Sequence, residues 1–586
     1  MSEPTSPTVR HVLILTCLCA IAYLPGLINH GLTNWQEAQR ALVFQQMHEQ
    51  GAWLVPTVHG DPYLAKPPMI YWWQRAFSML LGNRTDILPL RLTVAIAGWL
   101  GVIATYAAGR VLLRSEEDNT RKSATASLLG ASMLATGLLY VRSSRIGELD
   151  ILLTWPTSLS ILLCFVLMTR KHTPKQLWIC SLLLFATTAC AAMTKGPPAV
   201  VAIVCAFIGG HVLNCAVHHA RFRTPIFLAG GVLASIAAVI SFWIRGSLQN
   251  LDANAIIGLV YVIASIGIIT FLVANACTHL KALAQITKQP LPLIAILLGA
   301  LTAVGWIAIV ARSIGWDNVR SAMEYETGDN LRLFVLDAPM HNIEAMAFGV
   351  GLGSIVMIGA LFVGTLQTLR SGWGFWKQLD QGTLWIVAWV LGSLFVFSII
   401  GKGVPRYLTP VWPGVALLAG VAAMHTKLPN RATSSVILLA CAILAIGQGW
   451  WYGYGREARF ANRSPRDLIH AFKASANDNT ALFALDHWSP ALDFYWGKSV
   501  VPVMENGPDI HVAGVHPISL NSLHDFVAEH TAIFVIARRE ARAEYDTTYP
   551  AGRLAALGFV VQEIAQLPAY TIDNGRSATV VLKVTR

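Results

Sequence analysis

The chain has 586 residues, of which 54% are hydrophobic and 13% charged, and its mean hydropathy is +0.53. A soluble domain carries about 25% charged residues, so this composition excludes a soluble enzyme, a disordered chain and a disulfide scaffold, and implies a polytopic membrane protein. The formal net charge of +11 is not gathered into any run of Lys and Arg on a solvated segment, which excludes a nucleic-acid partner and gives the excess a topological meaning. All nine cysteines lie in or beside apolar runs, so neither a metal-type Cys/His cluster nor a disulfide framework can be drawn.

A spanning helix needs about 20 mostly apolar residues. The sequence offers thirteen candidates: 11–28, 88–113, 124–141, 150–168, 176–192, 197–217, 226–244, 256–275, 291–311, 343–366, 384–400, 405–424 and 433–452. The first is not read as a cleaved signal peptide, because it lacks an Ala-x-Ala-like site and runs into Pro25-Gly26. Residues 29–87 are far longer than a connector needs. Within them, 36–50 reads as an amphipathic helix with Ala38, Ala41, Leu42 and Phe44 set against Glu37, Arg40, Gln45 and Glu49. A second helix starts at Pro67-Pro68 and carries Trp72, Trp73 and Phe77, and both helices suit a membrane interface. Residues 453–586 are ordinary in composition, with strand-like runs at 481–485, 532–537 and 579–584 and a helical stretch at 465–476, which predicts a small α/β domain. The expected division is thus a membrane domain over 1–452, including the loop 29–87, and an extramembrane α/β domain over 453–586. No internal repeat is visible, against the repeat-built transporter folds.

Orientation follows from the short loops. Arg110, Arg114, Arg121 and Lys122, with Glu116, Glu117 and Asp118 between them, then Arg170, Lys171 and Lys175, and so on, gather the basic residues into every second loop, and in this rule acids count for little. In the alternate loops the basic residues sit beside carboxylates, as Arg142 and Arg145 do near Glu148 and Asp150. The positive-inside rule places the N-terminus in the cytoplasm and, with thirteen spans, residues 453–586 outside it.

Charge near a bilayer is expensive, about 2.5–3.5 kcal/mol at a helix centre, and is usually kept for function. On the outer face it falls in a few short stretches. Asn34 to Arg40 opens the first loop helix and places Glu37 and Arg40 on one face; Tyr63-Leu64-Ala65-Lys66-Pro67-Pro68 pins a lysine before a helix start. Arg145-Ile146-Gly147-Glu148-Leu149-Asp150 precedes the fourth span, Thr194-Lys195-Gly196 breaks one hairpin, and Gly401-Lys402-Gly403-Val404-Pro405-Arg406-Tyr407 breaks another. Singly each has a plain structural reading: a solvated Glu37–Arg40 pair, snorkelling of Lys66, Lys195 and Lys402, a helix cap at Asp150. Together they have the composition of a site for a phosphorylated lipid with a base or electrostatic stabiliser beside it.

At these residues the chain resembles the GT-C glycosyltransferases of the protein O-mannosyltransferase superfamily, especially the bacterial branch containing the lipid A aminoarabinose transferases. The likeness runs the whole length and is most specific from Glu37 to Trp72, where Gly60-Asp61-Pro62-Tyr63-Leu64-Ala65-Lys66-Pro67-Pro68-Met69-Ile70-Tyr71-Trp72 is similar to the family's G-x-x-Y-x-x-K-P-P-x-x-Y-W. The resemblance implies a polytopic α-helical GT-C fold of about thirteen spans with a periplasmic α/β domain, in the bacterial inner membrane. It implies a hexosyl- or pentosyltransferase that takes sugar from a polyprenyl phosphate and gives it to a glycolipid such as lipid A, or to a protein, with no metal or other cofactor. Lys66, Tyr63, Arg406, Lys195 and Lys402 would then meet the donor phosphate, and Glu37 or Asp150 the acceptor proton, with Arg40, Glu148, Arg145 and Tyr407 as further candidates. Three positions depart from the family: Gln36 stands where its catalytic Asp usually does, Ala65 where an acid precedes the Lys-Pro-Pro lysine, and Gln39 where an Arg follows. The competing readings are a lipid-linked sugar flippase and an inactive, lipid-binding relative.

Overall fold

The structure is a computed structural model that describes residues 7–114, 120–219, 284, 286–330, 345–346, 348–371, 373–399, 405–425, 430–456, 464–473, 476, 480–485, 488–504, 515–529, 533–540, 551–567 and 577–585. The apolar runs fold as helices, because in lipid every backbone N–H and C=O must be satisfied from within. Among the described residues, seven helices are long and apolar enough to cross a membrane: Ile87–Leu112, Leu149–Thr169, Pro174–Lys195, Pro197–Cys215, Leu291–Ile314, Gln381–Ser398 and Arg431–Gly455. The helix α1 (Pro7–Tyr23) and the helix Trp412–Ala423 are apolar but shorter. The expected span 124–141 is two helices, Thr120–Ala135 and Leu138–Ser143, because the backbone at Gly137 is extended. The expected spans 226–244 and 256–275 lie outside the described residues.

The chain forms two compact units. The first comprises Met1–Pro25, Val94–Arg145 and Leu149–Gly449; the second comprises Gly26–Thr93, Ile146–Glu148 and Trp450–Arg586. In the first unit the helices Thr120–Ala135 and Trp412–Ala423 approach through small residues. A Cβ on Gly130 would lie 2.5 Å from the carbonyl oxygen of Ala416, and one on Gly420 closer still to that of Ala126. With lipid tails as apolar as the side chains, such close backbone approach is what drives helices together. Around this seam Trp385, Trp389 and Trp412 are wholly buried, and the Trp389 indole donates to Pro410 O at 3.1 Å.

The second unit contains the first loop and the C-terminal segment. After α1 come α2 (Trp35–Gln50), the hairpin β1 (Thr57–Val58) and β2 (Asp61–Pro62), α3 (Met69–Leu80) and the start of α4 (Ile87–Leu112). The Asn34 side chain caps α2 by accepting from the Gln36 and Glu37 N–H groups, and Gly51, at φ +66°, ends it in the left-handed conformation that glycine adopts without steric cost. Of the polar residues expected on one face of α2, Glu37 and Arg40 are buried, as are Gln39, Ala38, Ala41, Leu42, Val43 and Phe44, whereas Gln45 is half-buried and Glu49 exposed. The C-terminal part holds a six-stranded sheet of β3 (Leu482–Leu485), β4 (Val501–Met504), β5 (Ile518–Ser519), β6 (Ile533–Glu540), β7 (Val560–Leu567) and β8 (Ser577–Thr585), in the order β5-β4-β3-β6-β8-β7. The pairs among β5, β4, β3 and β6 are parallel; β8 runs antiparallel to β6 and β7. Its core is built from Phe483, Leu485, Val503, Val535, Leu582 and Val584, the inward residues of the expected strand runs and of β4. The expected helix at 465–476 is Arg466–Lys473.

The glycine seam yields a direct test. Gly420→Val forces side-chain volume against the Ala126 carbonyl, and overpacking of this kind costs about 1–3 kcal/mol. The detergent-solubilised variant should melt at lower temperature than wild type, whereas Gly447→Val, with open space around its Cβ, should not. Equal melting of Gly420→Val and wild type would refute the seam.

Candidate functional site

Glu37 and Arg91 form an ion pair, and both side chains are 0% exposed. Arg91 lies in the second turn of α4, inside an apolar run. Its Nε donates to Glu37 Oε1 at 2.8 Å and its Nη2 to Oε2 at 3.3 Å, a two-pronged contact. Its remaining donors reach the carbonyls of Leu27 (2.9 Å), His30 (2.7 Å) and Gly31 (3.4 Å). Glu37 also accepts from the Gly147 N–H at 3.1 Å, and next to it Asn34 donates to the carboxylate of buried Glu148 at 3.3 Å. Glu37 is therefore not half of a pair with Arg40, and its charge is fully engaged.

Arg40, one helical turn on, is buried and has no carboxylate partner among the described residues. Its Nη1 donates to the hydroxyl of Tyr63 at 2.9 Å and of Tyr71 at 3.4 Å, the guanidinium lies 5.8 Å from the Tyr63 ring centre, and Nε has no partner among the described residues. Burial works against its charge while the two phenol oxygens favour it, and the net direction is upward, so the cation persists. The side-chain amide of Gln74, one turn past Tyr71 on α3, and Nε2 of Gln39 are likewise buried without partners among the described residues. Three residues beyond Tyr63 stands Lys66, half-buried, its ammonium donating to the Ala65 carbonyl at 2.6 Å. The structure thus joins Tyr63 and Arg40 from the sequence-derived set and adds Tyr71.

The first unit carries a separate constellation. Asp150 opens the 3-10 turn Leu149–Leu153, and Lys195 is the last residue of Pro174–Lys195. Gly196 follows at φ +76°, ψ −120°, a conformation essentially reserved for glycine, and the chain re-enters a helix at Pro197. This turn carries the Lys195 ammonium onto the Asp150 carboxylate, with the Tyr407 ring 4.2 Å from the same nitrogen. Neighbouring Arg406 sits on the 3-10 turn Pro405–Leu408, its Nε buried without a partner among the described residues. Arg145 is wholly buried and donates to the carbonyls of Ala22, at 3.0 Å, and Pro25; these lie at and just past the end of α1, where carbonyls lack helical partners. Lys402 lies outside the described residues.

Sequence reading missed Arg91, although a lone arginine inside an apolar run was the available signal. It also missed contacts between the first loop and the C-terminal segment. His59 Nε2 lies 3.1 Å from Asp493 Oδ2, the Tyr495 hydroxyl accepts from the Leu32 N–H at 2.7 Å, and the Arg466 guanidinium donates to Asn29 O at 2.6 Å. Burial pushes the Asp493 carboxyl above its usual range, with His59 and the Val500 N–H opposing the shift, and burial likewise raises the Tyr495 phenol. No local pattern announces such pairings across more than four hundred residues.

A polytopic helical body, a long first loop with two helices and a C-terminal mixed sheet make up the GT-C fold of membrane glycosyltransferases. Residues 16–219 match the family model described as dolichyl-phosphate-mannose-protein mannosyltransferase. Over 224 residues the chain is 26% identical to the undecaprenyl phosphate-alpha-4-amino-4-deoxy-L-arabinose arabinosyl transferase of Yersinia enterocolitica, a stretch covering 38% of this chain and 38% of that relative. ArnT from Cupriavidus metallidurans, solved bound to undecaprenyl phosphate, superposes with a TM-score of 0.62 at 15% identity over 98% of both chains. Its apo form gives 0.59 at the same identity, over 99% of this chain and 98% of that one.

The Glu37–Arg91 pair can be tested through stability. Breaking a buried pair strands one charge and costs about 3–5 kcal/mol, while replacing both partners with apolar groups is often neutral. Glu37→Leu and Arg91→Leu should each lower the melting temperature in detergent, and the double variant should recover much of the loss. Single variants that melt like wild type would show that the pair carries no stability.

Proposed function

We propose that the chain is a glycosyltransferase of the bacterial inner membrane that moves a sugar from a polyprenyl phosphate to an acceptor on the outer face, with its N-terminus in the cytoplasm and residues 453–586 in the periplasm. The observation that carries this reading is Arg40, a buried guanidinium whose only hydrogen-bond partners among the described residues are two neutral phenols. A buried cation without a counter-charge is costly, and a phosphate is an anion that matches its donors. Lys66 stands close by in the chain, and the similarity to an undecaprenyl-phosphate arabinosyl transferase supports the same donor class.

When the anomeric C–O bond breaks, charge builds on the lipid phosphate. Arg40 and Lys66 stabilise it electrostatically, and the Tyr63 and Tyr71 hydroxyls are placed to donate to it. In this scheme fixed cations take the part that a divalent ion plays elsewhere, so no metal is needed. The acceptor attacks the opposite face of the anomeric carbon. Both carboxylates are buried and already paired, Glu37 with Arg91 and Asp150 with Lys195, so neither stands free to meet an acceptor proton. That favours an acceptor already ionised, such as the phosphate of a lipid A-like glycolipid, over a Ser or Thr hydroxyl, which needs a general base. Whether a pentose or a hexose is moved is a matter for mass spectrometry of envelope glycolipids with and without the gene.

Two measurements test this reading. In nanodiscs, Lys66→Ala should weaken affinity for undecaprenyl phosphate on the order of 30-fold, since breaking such charged contacts costs roughly 2–5 kcal/mol, and turnover should survive a chelator. Unchanged affinity, or activity lost to chelation and restored by one divalent ion, would overturn the cation account. For topology, single cysteines in a Cys-free background at exposed Ser499 and Lys171 should differ, Ser499→Cys reacting with an impermeant reagent from outside and Lys171→Cys only after lysis. Equal access from outside would refute the orientation.

A further inference from the structure

We propose that His59 and Asp493 are positioning residues that hold the Tyr63–Lys66 segment in place for the lipid phosphate, an inference that rests on the function proposed above. The β1–β2 hairpin pairs Val58 with Asp61 and turns through His59 and Gly60, at φ +53° and +88°. Asn-Gly is the ordinary sequence for such a two-residue turn, because both central residues need positive φ. Histidine is an uncommon occupant; besides Asn83 it is the only non-glycine residue with positive φ among the described residues. Strained backbone of this kind persists where surrounding contacts hold it, and it clusters at functional positions.

The contacts at His59 are specific. Its backbone N–H donates to Gln46 Oε1 at 2.8 Å, which ties the turn to α2. Its ring stands edge-on to Trp488, with centroids 6.2 Å apart, and Nε2 meets Asp493 at 3.1 Å. Asp493 is itself fixed: it is buried in the helix Pro490–Trp496, and its other oxygen accepts from the Val500 N–H at 2.6 Å. A second contact, Asp61 to His516 at 2.9 Å, is exposed and correspondingly weak. Of these two contacts between the hairpin and the C-terminal part of its unit, the His59–Asp493 one is the better shielded from water.

What the hairpin holds in turn is the phosphate side of the site. The Tyr63 N–H donates to Pro56 O at 2.7 Å, closing the hairpin, and the Tyr63 hydroxyl accepts from Arg40. Lys66 follows three residues on, directly before Pro67-Pro68 and α3. Shifting the turn shifts Tyr63 and Lys66, although neither His59 nor Asp493 needs to touch the ligand.

The experiment uses the full chain in nanodiscs with undecaprenyl phosphate as probe, together with hydrogen exchange of residues 57–66. His59→Ala should bind the probe about tenfold more weakly, the worth of one charged hydrogen bond passed on to the ligand contacts, and exchange should quicken over 57–66 alone. His59→Asn, which suits left-handed backbone and keeps a donor near Asp493, should restore most of the affinity. His59→Ala combined with Asp493→Asn should bind no more weakly than His59→Ala alone, as expected of residues acting through one contact. A folded His59→Ala that binds like wild type, a His59→Asn as weak as His59→Ala, or quickened exchange throughout the unit would each overturn the positioning role. Wild-type protein without affinity for undecaprenyl phosphate would overturn the lipid-donor reading, and this proposal with it.

Discussion

The buried pair of Glu37 and Arg91 sets the geometry on which the first-loop site depends. Taking both charges out of water is expensive, and apolar residues of the same volume would often serve stability as well. What the pair supplies is placement. Arg91 reaches the carbonyls of Leu27, His30 and Gly31 as well as Glu37, so one side chain of α4 fixes the path of the chain into α2. Glu37 in turn reads the Gly147 backbone, which brings Glu148 to the Asn34 cap. With Glu37 committed to Arg91, the neighbouring Arg40 is left to the phenols of Tyr63 and Tyr71.

That division explains why two basic residues in one region have opposite characters. Arg91 is neutralised by a carboxylate and three carbonyls, and has no charge left to offer a ligand. Arg40 is also buried, but its hydrogen-bond partners among the described residues are neutral phenols. The Lys195–Asp150 contact in the first unit resembles the former case, with the Tyr407 ring adding a cation–π contact to an already matched pair. Arg406, whose buried Nε has no partner among the described residues, is closer to the latter.

Much of the architecture was legible because membrane helices and sheet strands announce themselves by composition and period. The helices Ile87–Leu112, Leu149–Thr169 and Leu291–Ile314 fall within a few residues of the expected spans, and β3, β6 and β8 lie on the expected strand runs. The boundary at Gly137 was missed because no breaker stronger than one glycine marks it. The site was legible only as a list of residue types. Sequence placed Glu37 and Arg40 on one helical face and suggested that they pair, since neighbours at i and i+3 often do; it had no means of seeing that α4 brings a stronger partner. The His59–Asp493 contact was invisible for a similar reason: nothing in the sequence beside either residue marks it as the other's partner, and only the fold of the unit makes them neighbours.

The departures from the family pattern have a common electrostatic sense. Gln36 and Ala65 each stand where the resemblance leads one to expect a carboxylate, and Gln39 where it leads one to expect an arginine whose charge reappears at Arg40. Two carboxylates that the resemblance leads one to expect are absent while the cations remain, and Glu37, the member of the expected acid pair that is present, is paired with Arg91. A site altered in this way is poorly suited to pull a proton from a neutral hydroxyl. In the proposed reaction it is better suited to an anionic acceptor, because repulsion between two phosphates is what a buried cation such as Arg40 would reduce. In the proposed reaction the absent acids and the Arg40 guanidinium, which has no carboxylate partner among the described residues, work in the same direction, toward an acceptor that brings its own charge.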